Sequence, residues 1–300
     1  MNGLYGVVCA SITPMLPDGQ VDYAGVRALC AHLVEQGIHC LYPNGTNGES
    51  LSLSAEERQR IAEIILEENR GRARLYVQCG AATVAESYAH VRHAKAIGAH
   101  GAGLMTPVFF AVDDAAMEEY FENILKETGD FPIYAYNIPS RTGSDLSPAV
   151  LGRLMRRHPG LLGIKYSCPD ILRVSQYVHC CETRKADVLI GCDMLAQACW
   201  TVGGAGWVSG PAAVFPEAHT RLYDQLKAGK TEEARKTQAL LQRTMEDIAG
   251  IPEIPAIKYM LTKLGVIGCD VCRAPLRALT SSEKQRLDAA MERYAQDLRA

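Results

Sequence analysis

Lys165 ends the apolar run Leu161-Leu162-Gly163-Ile164, and Tyr136 ends another such run, 29 residues earlier. A lysine that closes a buried strand is partly desolvated, which disfavours its ammonium and favours the neutral, nucleophilic amine. Such an amine attacks a ketone and condenses to an imine. The alternative at that place is a lysine carrying its ammonium from the strand end into solvent. A phenol on the neighbouring strand can donate a proton to a departing oxygen and take one back. A strand-end tyrosine is otherwise a packing residue with a wet hydroxyl.

Gly45-Thr46-Asn47-Gly48-Glu49 offers a tight turn, exposed backbone N–H groups and two hydrogen-bonding side chains. That combination can form an anion nest, here for a carboxylate, or be a plain glycine turn. Arg141 either clamps a second anionic group through two parallel bonds or is a surface residue. Ser167 and Ser209 each hydrogen-bond a ligand or simply finish a strand. Cys269 and Cys272 form a CxxC, but no second pair or histidine cluster completes a zinc site, and packing and loop roles are the reading adopted for them.

Positioning these residues requires strands that end where they sit. Short apolar runs fall at 6–12, 39–42, 75–79, 101–105, 132–136, 161–165, 187–190 and 206–209. They have the length of buried strands and are rich in β-formers, as a parallel sheet wants. Between them lie amphipathic segments with helix start signals. Ser54 with Glu57 and Thr83 with Glu86 predict capping boxes, and Ser147-Pro148 predicts a helix opening. Eight strand–helix units of this size close most simply into a TIM (β/α)8 barrel, an α/β fold whose site is built where strands end. An open doubly wound sheet is the rival, but no GxGxxG follows the first run. After about residue 225 the apolar runs stop, and 231–249, 253–264 and 280–298 read as helices, the last opened by Thr280 and Glu283. The expected organisation is a barrel over 1–225 carrying the site and a C-terminal helical extension over 226–300, packed on it because no flexible linker intervenes.

Composition narrows the function classes. Net charge is −3 and the 31 basic residues are dispersed, so nucleic acid is not an expected partner. No apolar run reaches the roughly 18–20 residues of a membrane span. The opening MNGLYGVVCASITPM lacks the basic-then-apolar order of a signal peptide. Eleven cysteines, most inside apolar segments, act as small hydrophobes. A cytoplasmic, reducing location is expected.

Four segments in order, GTNGES, YNIPSRTG, GIKYS and GGAGWVSG, resemble motifs of the dihydrodipicolinate synthase / N-acetylneuraminate lyase family. The likeness extends over the C-terminal helices, and so over essentially the whole chain. It implies a barrel with a helical C-terminal region, a homotetramer built as a dimer of dimers, and no metal or organic cofactor. It implies Lys165 as the Schiff-base lysine for pyruvate or another 2-oxo acid and Tyr136 as the proton shuttle. Thr46, Asn47 and the Gly45 turn would hold the carboxylate. Arg141, Ser167, Gly191, Asp193, Val208 and Ser209 would complete the substrate contacts.

Departures from the family pattern bear on the substrate. The second hydroxyl of the carboxylate loop is Asn47. The paired tyrosines after strand four, one of which relays protons in the partner's site of the synthases, are Phe109 and Phe110. Arg141 matches the residue that contacts the semialdehyde carboxylate in those synthases. The Thr46-Asn47 loop and Lys165-x-Ser167 are similar to 4-hydroxy-2-oxoglutarate aldolases. Gly191-Cys192-Asp193 is similar to the sugar contacts of N-acetylneuraminate lyases, although Met194 stands where an acid is expected. The first expectation is therefore an aldolase joining or parting pyruvate and a polyhydroxylated or acidic aldehyde. The second is dihydrodipicolinate synthase activity on pyruvate and aspartate semialdehyde. A third, of another class, is a non-catalytic sensor of 2-oxo acids on the same scaffold.

Overall fold

A computed structural model describes residues 3–181 and 183–299. Met1, Asn2, Glu182 and Ala300 lie outside the described residues, and with them the first residues of the expected leader-free start and the outer ends of the two expected spans. All eight apolar runs become strands. They are β1 (Gly6–Cys9), β2 (Cys40–Leu41), β3 (Arg74–Gln78), β4 (Gly101–Met105), β5 (Ile133–Asn137), β6 (Leu161–Tyr166), β7 (Asp187–Ile190) and β8 (Gly206–Ser209). They close in chain order into one barrel, with parallel pairing from β2 through β8. The expected TIM barrel is thus the fold.

Helices alternate with the strands: α1 (Tyr23–Glu35), α2 (Ala55–Asn69), α3 (Val84–Ala96), α4 (Asp114–Thr128), α5 (Pro139–Thr142), α6 (Pro148–Arg157), α7 (Ile171–Val178) and α8 (Ala196–Thr201). After β8 come α9 (Pro216–Lys227), α10 (Thr231–Asp247), α11 (Glu253–Lys263) and α12 (Ser281–Arg299), with no further strand among the described residues. Two compact units emerge. Residues through Val8, Cys40–Tyr42 and Arg74–Val208 form one, and Cys9–His39, Pro43–Ala73 and the chain from Ser209 form the other.

The start signals act locally as their chemistry dictates. Ser54 accepts from Glu57 N while Glu57 reaches back to Ser54 N, a complete capping box. Thr280 and Glu283 form the same reciprocal pair ahead of α12. Thr83 differs from expectation. Its hydroxyl accepts from Glu86 N at 3.1 Å, but the Glu86 carboxylate takes the Thr83 hydroxyl at 3.0 Å rather than its backbone N–H. The hydroxyl proton of Thr83 satisfies the acid in place of the N–H.

Inside the first unit, glycines make room for large side chains. A Cβ on Gly101 would overlap the Tyr76 ring, and one on Gly103 would overlap the Tyr42 hydroxyl. Tyr42, Tyr76, Tyr134 and Tyr136 are all fully buried. The aromatic volume that fills the barrel is therefore paired with the absence of side chains on β4.

Candidate active site

Lys165 is the fifth of six residues in β6 and pairs in register with Tyr136 on β5 and Leu189 on β7. It is only 4% exposed, so the alternative of an ammonium led into solvent is not what the fold builds. Its Nζ lies 4.0 Å from the centroid of the Tyr136 ring and 5.0 Å from that of Tyr42. The two rings meet edge to face, 6.3 Å apart at 89°. Met105, Ile138 and Val108 pack around Tyr136. Among the described residues the Lys165 amine enters no ion pair and no hydrogen bond. The amine lies over the ring of Tyr136.

Tyr42 escaped the sequence reading because a tyrosine just past a short strand has no signal beyond packing. Its hydroxyl is buried and finds no hydrogen-bond partner among the described residues. Burial, with Tyr136 and Cys79 nearby, holds its pKa well above the ordinary phenol range. An orphaned buried hydroxyl costs about 1–3 kcal/mol. Tyr42→Phe should therefore keep or raise the urea midpoint of unfolding, whereas Tyr42→Ala should lower it by emptying the space beside Lys165.

Other predicted residues of the first unit fall near the ends of the same strands. Ser167 follows β6, its N–H bonded to Asn137 O at 2.9 Å. Gly191 follows β7, and a Cβ there would overlap Ser167 Oγ, so these two are neighbours. Asp193 opens a short turn and is nearly buried, while Met194 beside it is exposed. Val208 is buried in β8. Arg141 sits exposed on α5, and among the described residues its guanidinium has no ionic partner, which leaves it open to an anion. The 106–110 loop is tied to the 142–144 turn through Thr106 to Thr142, Phe109 N to Thr142 O and Ser144 to Phe110 O. It presents Phe109, in the left-handed region at φ 73°, and Phe110 at 86% and 71% exposure.

The turn 45–49 belongs to the second unit. Glu49 N donates to Thr46 O and Ser50 N to Gly45 O, and Gly48 O accepts from Thr13. Asn47 Nδ2 donates to Glu253 Oε1 at 3.2 Å, a partner no sequence signal indicated. Glu49 is buried against Lys258, and its second oxygen accepts from Arg273 N at 2.8 Å. Ser209 Oγ accepts from Ala212 N at 2.9 Å, a capping role. Cys269 bonds to Met15 O and burial pushes the Cys272 thiol up to about 11, as suits packing thiols. Among the described residues no three His, Cys, Asp or Glu side chains are grouped to hold a metal, and no helix is long and apolar enough to cross a membrane.

Proteins of known structure share this closed eight-stranded barrel, and the family of the chain follows from comparison with them and with sequence relatives. The model of the Dihydrodipicolinate synthetase family matches residues 3–294, and the chain belongs to that family. The 4-hydroxy-tetrahydrodipicolinate synthase of Hyphomonas neptunium is 33% identical over 288 residues, 96% of this chain and 97% of the relative. The solved 4-hydroxy-tetrahydrodipicolinate synthase of Methylacidiphilum fumariolicum superposes with a TM-score of 0.92 at 28% identity, covering 99% and 97% of the two chains. A sialic acid aldolase of Ruminococcus gnavus shares the fold, at TM-score 0.92 and 22% identity over 98% of each chain. The protein is an enzyme of the lyase class.

Proposed function

We propose that this enzyme forms a Schiff base between Lys165 and pyruvate or a related 2-oxo acid, and makes or breaks a C–C bond to an aldehyde. One observation carries the reading: a buried lysine amine at the end of β6, faced by aromatic rings and held by no carboxylate. The Nζ lone pair adds to the keto carbon, and loss of water leaves an iminium. That iminium accepts the electron pair when a proton leaves the adjacent carbon, giving an enamine that attacks the aldehyde carbon. Hydrolysis returns the amine, and cleavage is the same path reversed. Tyr136 is assigned the proton transfers, which requires its hydroxyl to turn toward the reacting oxygen. Thr46 and Asn47, with the Gly45 turn, are assigned the carboxylate by the family motif. The iminium is the electron sink, so the proposed chemistry asks for no metal or organic cofactor.

For the aldehyde, a polyhydroxylated or acidic group is favoured, with Arg141, Ser167, Gly191, Asp193, Val208 and Ser209 as its contacts or as support for the 2-oxo acid. The second reading, condensation with aspartate semialdehyde, is supported by the names of relatives and by the open guanidinium of Arg141. Against it stands Phe109, whose ring carries no proton to relay. The exposed Phe109 and Phe110 support a face covered by another copy, consistent with a homotetramer. A cytoplasmic location, with a site-bearing barrel over 1–225 and a helical region over 226–300, completes the proposal.

Incubation with pyruvate and borohydride should yield a reduced adduct that peptide mapping places on residue 165. A protein that stays at its starting mass, or an adduct on another lysine, rejects the mechanism. With the adduct in hand, pyruvate release from a panel of 4-hydroxy-2-oxo acids and sialic acids should exceed the rate of condensation with aspartate semialdehyde. The reverse order would favour the synthase.

A further inference from the structure

The structure surrounds the Asn47 amide with residues suited to it. Its Nδ2 donates to Glu253 Oε1 at 3.2 Å, and Glu253 is the first residue of α11. Asn47 is 8% exposed. Gly210, just after β8, lies against the same nitrogen, where any Cβ would overlap Nδ2 and stand 2.9 Å from Ile257 Cδ1. A loop, a turn and a helix start, far apart in the chain, thus converge on one side-chain amide. A hydroxyl at position 47 would be too short to fill this space.

We infer that Glu253 is a positioning residue for Asn47, acting with Gly210 to fix which end of the amide is offered to the carboxylate of the 2-oxo acid. This rests on the Schiff-base reading above. An amide has a donor end and an acceptor end, and the acceptor end repels an anion. A carboxylate only accepts, so Glu253 holds Nδ2 on the α11 side and disfavours the flipped amide, which would set Oδ1 against it. The second Nδ2–H remains to donate. Glu253 also adds a negative charge near an anion-binding turn. At an exposed side chain, water and salt screen that repulsion, so orientation is the larger effect.

The two effects have opposite signs, which makes the inference testable with pyruvate as the probe. Saturation of borohydride trapping with pyruvate reports binding without knowledge of the aldehyde. Glu253→Ala should raise the half-saturating pyruvate concentration about 5- to 10-fold, the loss of one oriented hydrogen bond, with the maximal trapping rate within about twofold. Glu253→Gln, which can still accept from Nδ2, should restore most of the affinity. With Asn47→Thr in place, Glu253→Ala should leave half-saturation unchanged or lower it slightly, because only the screened repulsion is then removed. An unchanged half-saturation in Glu253→Ala alone, or an equal rise with threonine at 47, overturns the inference while leaving the Schiff base standing. A wild-type protein that traps no pyruvate overturns both.

Discussion

Lys165→Met should lose turnover by at least about 10⁴-fold while unfolding at the same or a higher urea concentration than the unaltered enzyme. The loss follows from removing the nucleophile, since no neighbouring group can form an imine. The stability argument is separate. An ammonium 4% exposed and without a carboxylate partner has surrendered its hydration, and the faces of Tyr42 and Tyr136 return only about 0.5–2 kcal/mol. Methionine fills most of the same volume with an unbranched apolar chain and carries no such cost. Rate and stability moving in opposite directions is the signature of a residue kept for chemistry. A midpoint that falls sharply in Lys165→Met would make this lysine structural, and turnover that persists would remove it from the mechanism. Kinetics of pyruvate release and a urea titration on the same preparation read both.

The places of Lys165 and Tyr136 were legible because strand ends are legible: apolar runs of four to seven residues stop where polar chemistry begins, and all eight runs became strands. The side-chain geometry was not. Register sets Tyr136 beside Lys165, but how its ring meets the amine depends on rotamers packed by Met105 on β4 and by Ile138 just past β5. Tyr42 was hidden for a similar reason. Its place depends on the missing side chain of Gly103, two strands away. Glu253 and Lys258 left no local trace. An acid in the first turn of a helix reads as a partner of the helix dipole, and a lysine in the same helix reads as solvated. Their contacts reach Asn47 and Glu49 across more than two hundred residues of chain, a distance over which hydrophobic period carries no information. The same helix therefore bears on the loop twice, once through an exposed acid and once through a buried base.

The buried base gives the second large effect. Lys258 and Glu49 have side-chain exposures of 0% and 1%, and Lys258 Nζ also donates to Val271 O at 2.7 Å. Arg273 completes the group: its N–H serves Glu49, and its guanidinium grips Glu57 with bonds of 2.6 and 2.7 Å. Lys258→Met should lower stability by about 3–5 kcal/mol, because it strands a carboxylate in the interior with one N–H left to satisfy it. Glu49→Gln together with Lys258→Met should recover half or more of that loss, since a neutral amide still accepts from Arg273 N and no uncompensated charge remains. If the double variant is as unstable as the single one, packing rather than charge pairing explains the loss. Glu49 also sits at φ 56° and closes the turn through its N–H to Thr46 O, so the pair holds the 45–49 backbone in shape. The refolded double variant should accordingly trap pyruvate only at higher concentration. Stability recovered without affinity would separate the ion pair's two roles: keeping a buried acid satisfied, and keeping the turn in the form proposed to meet a carboxylate.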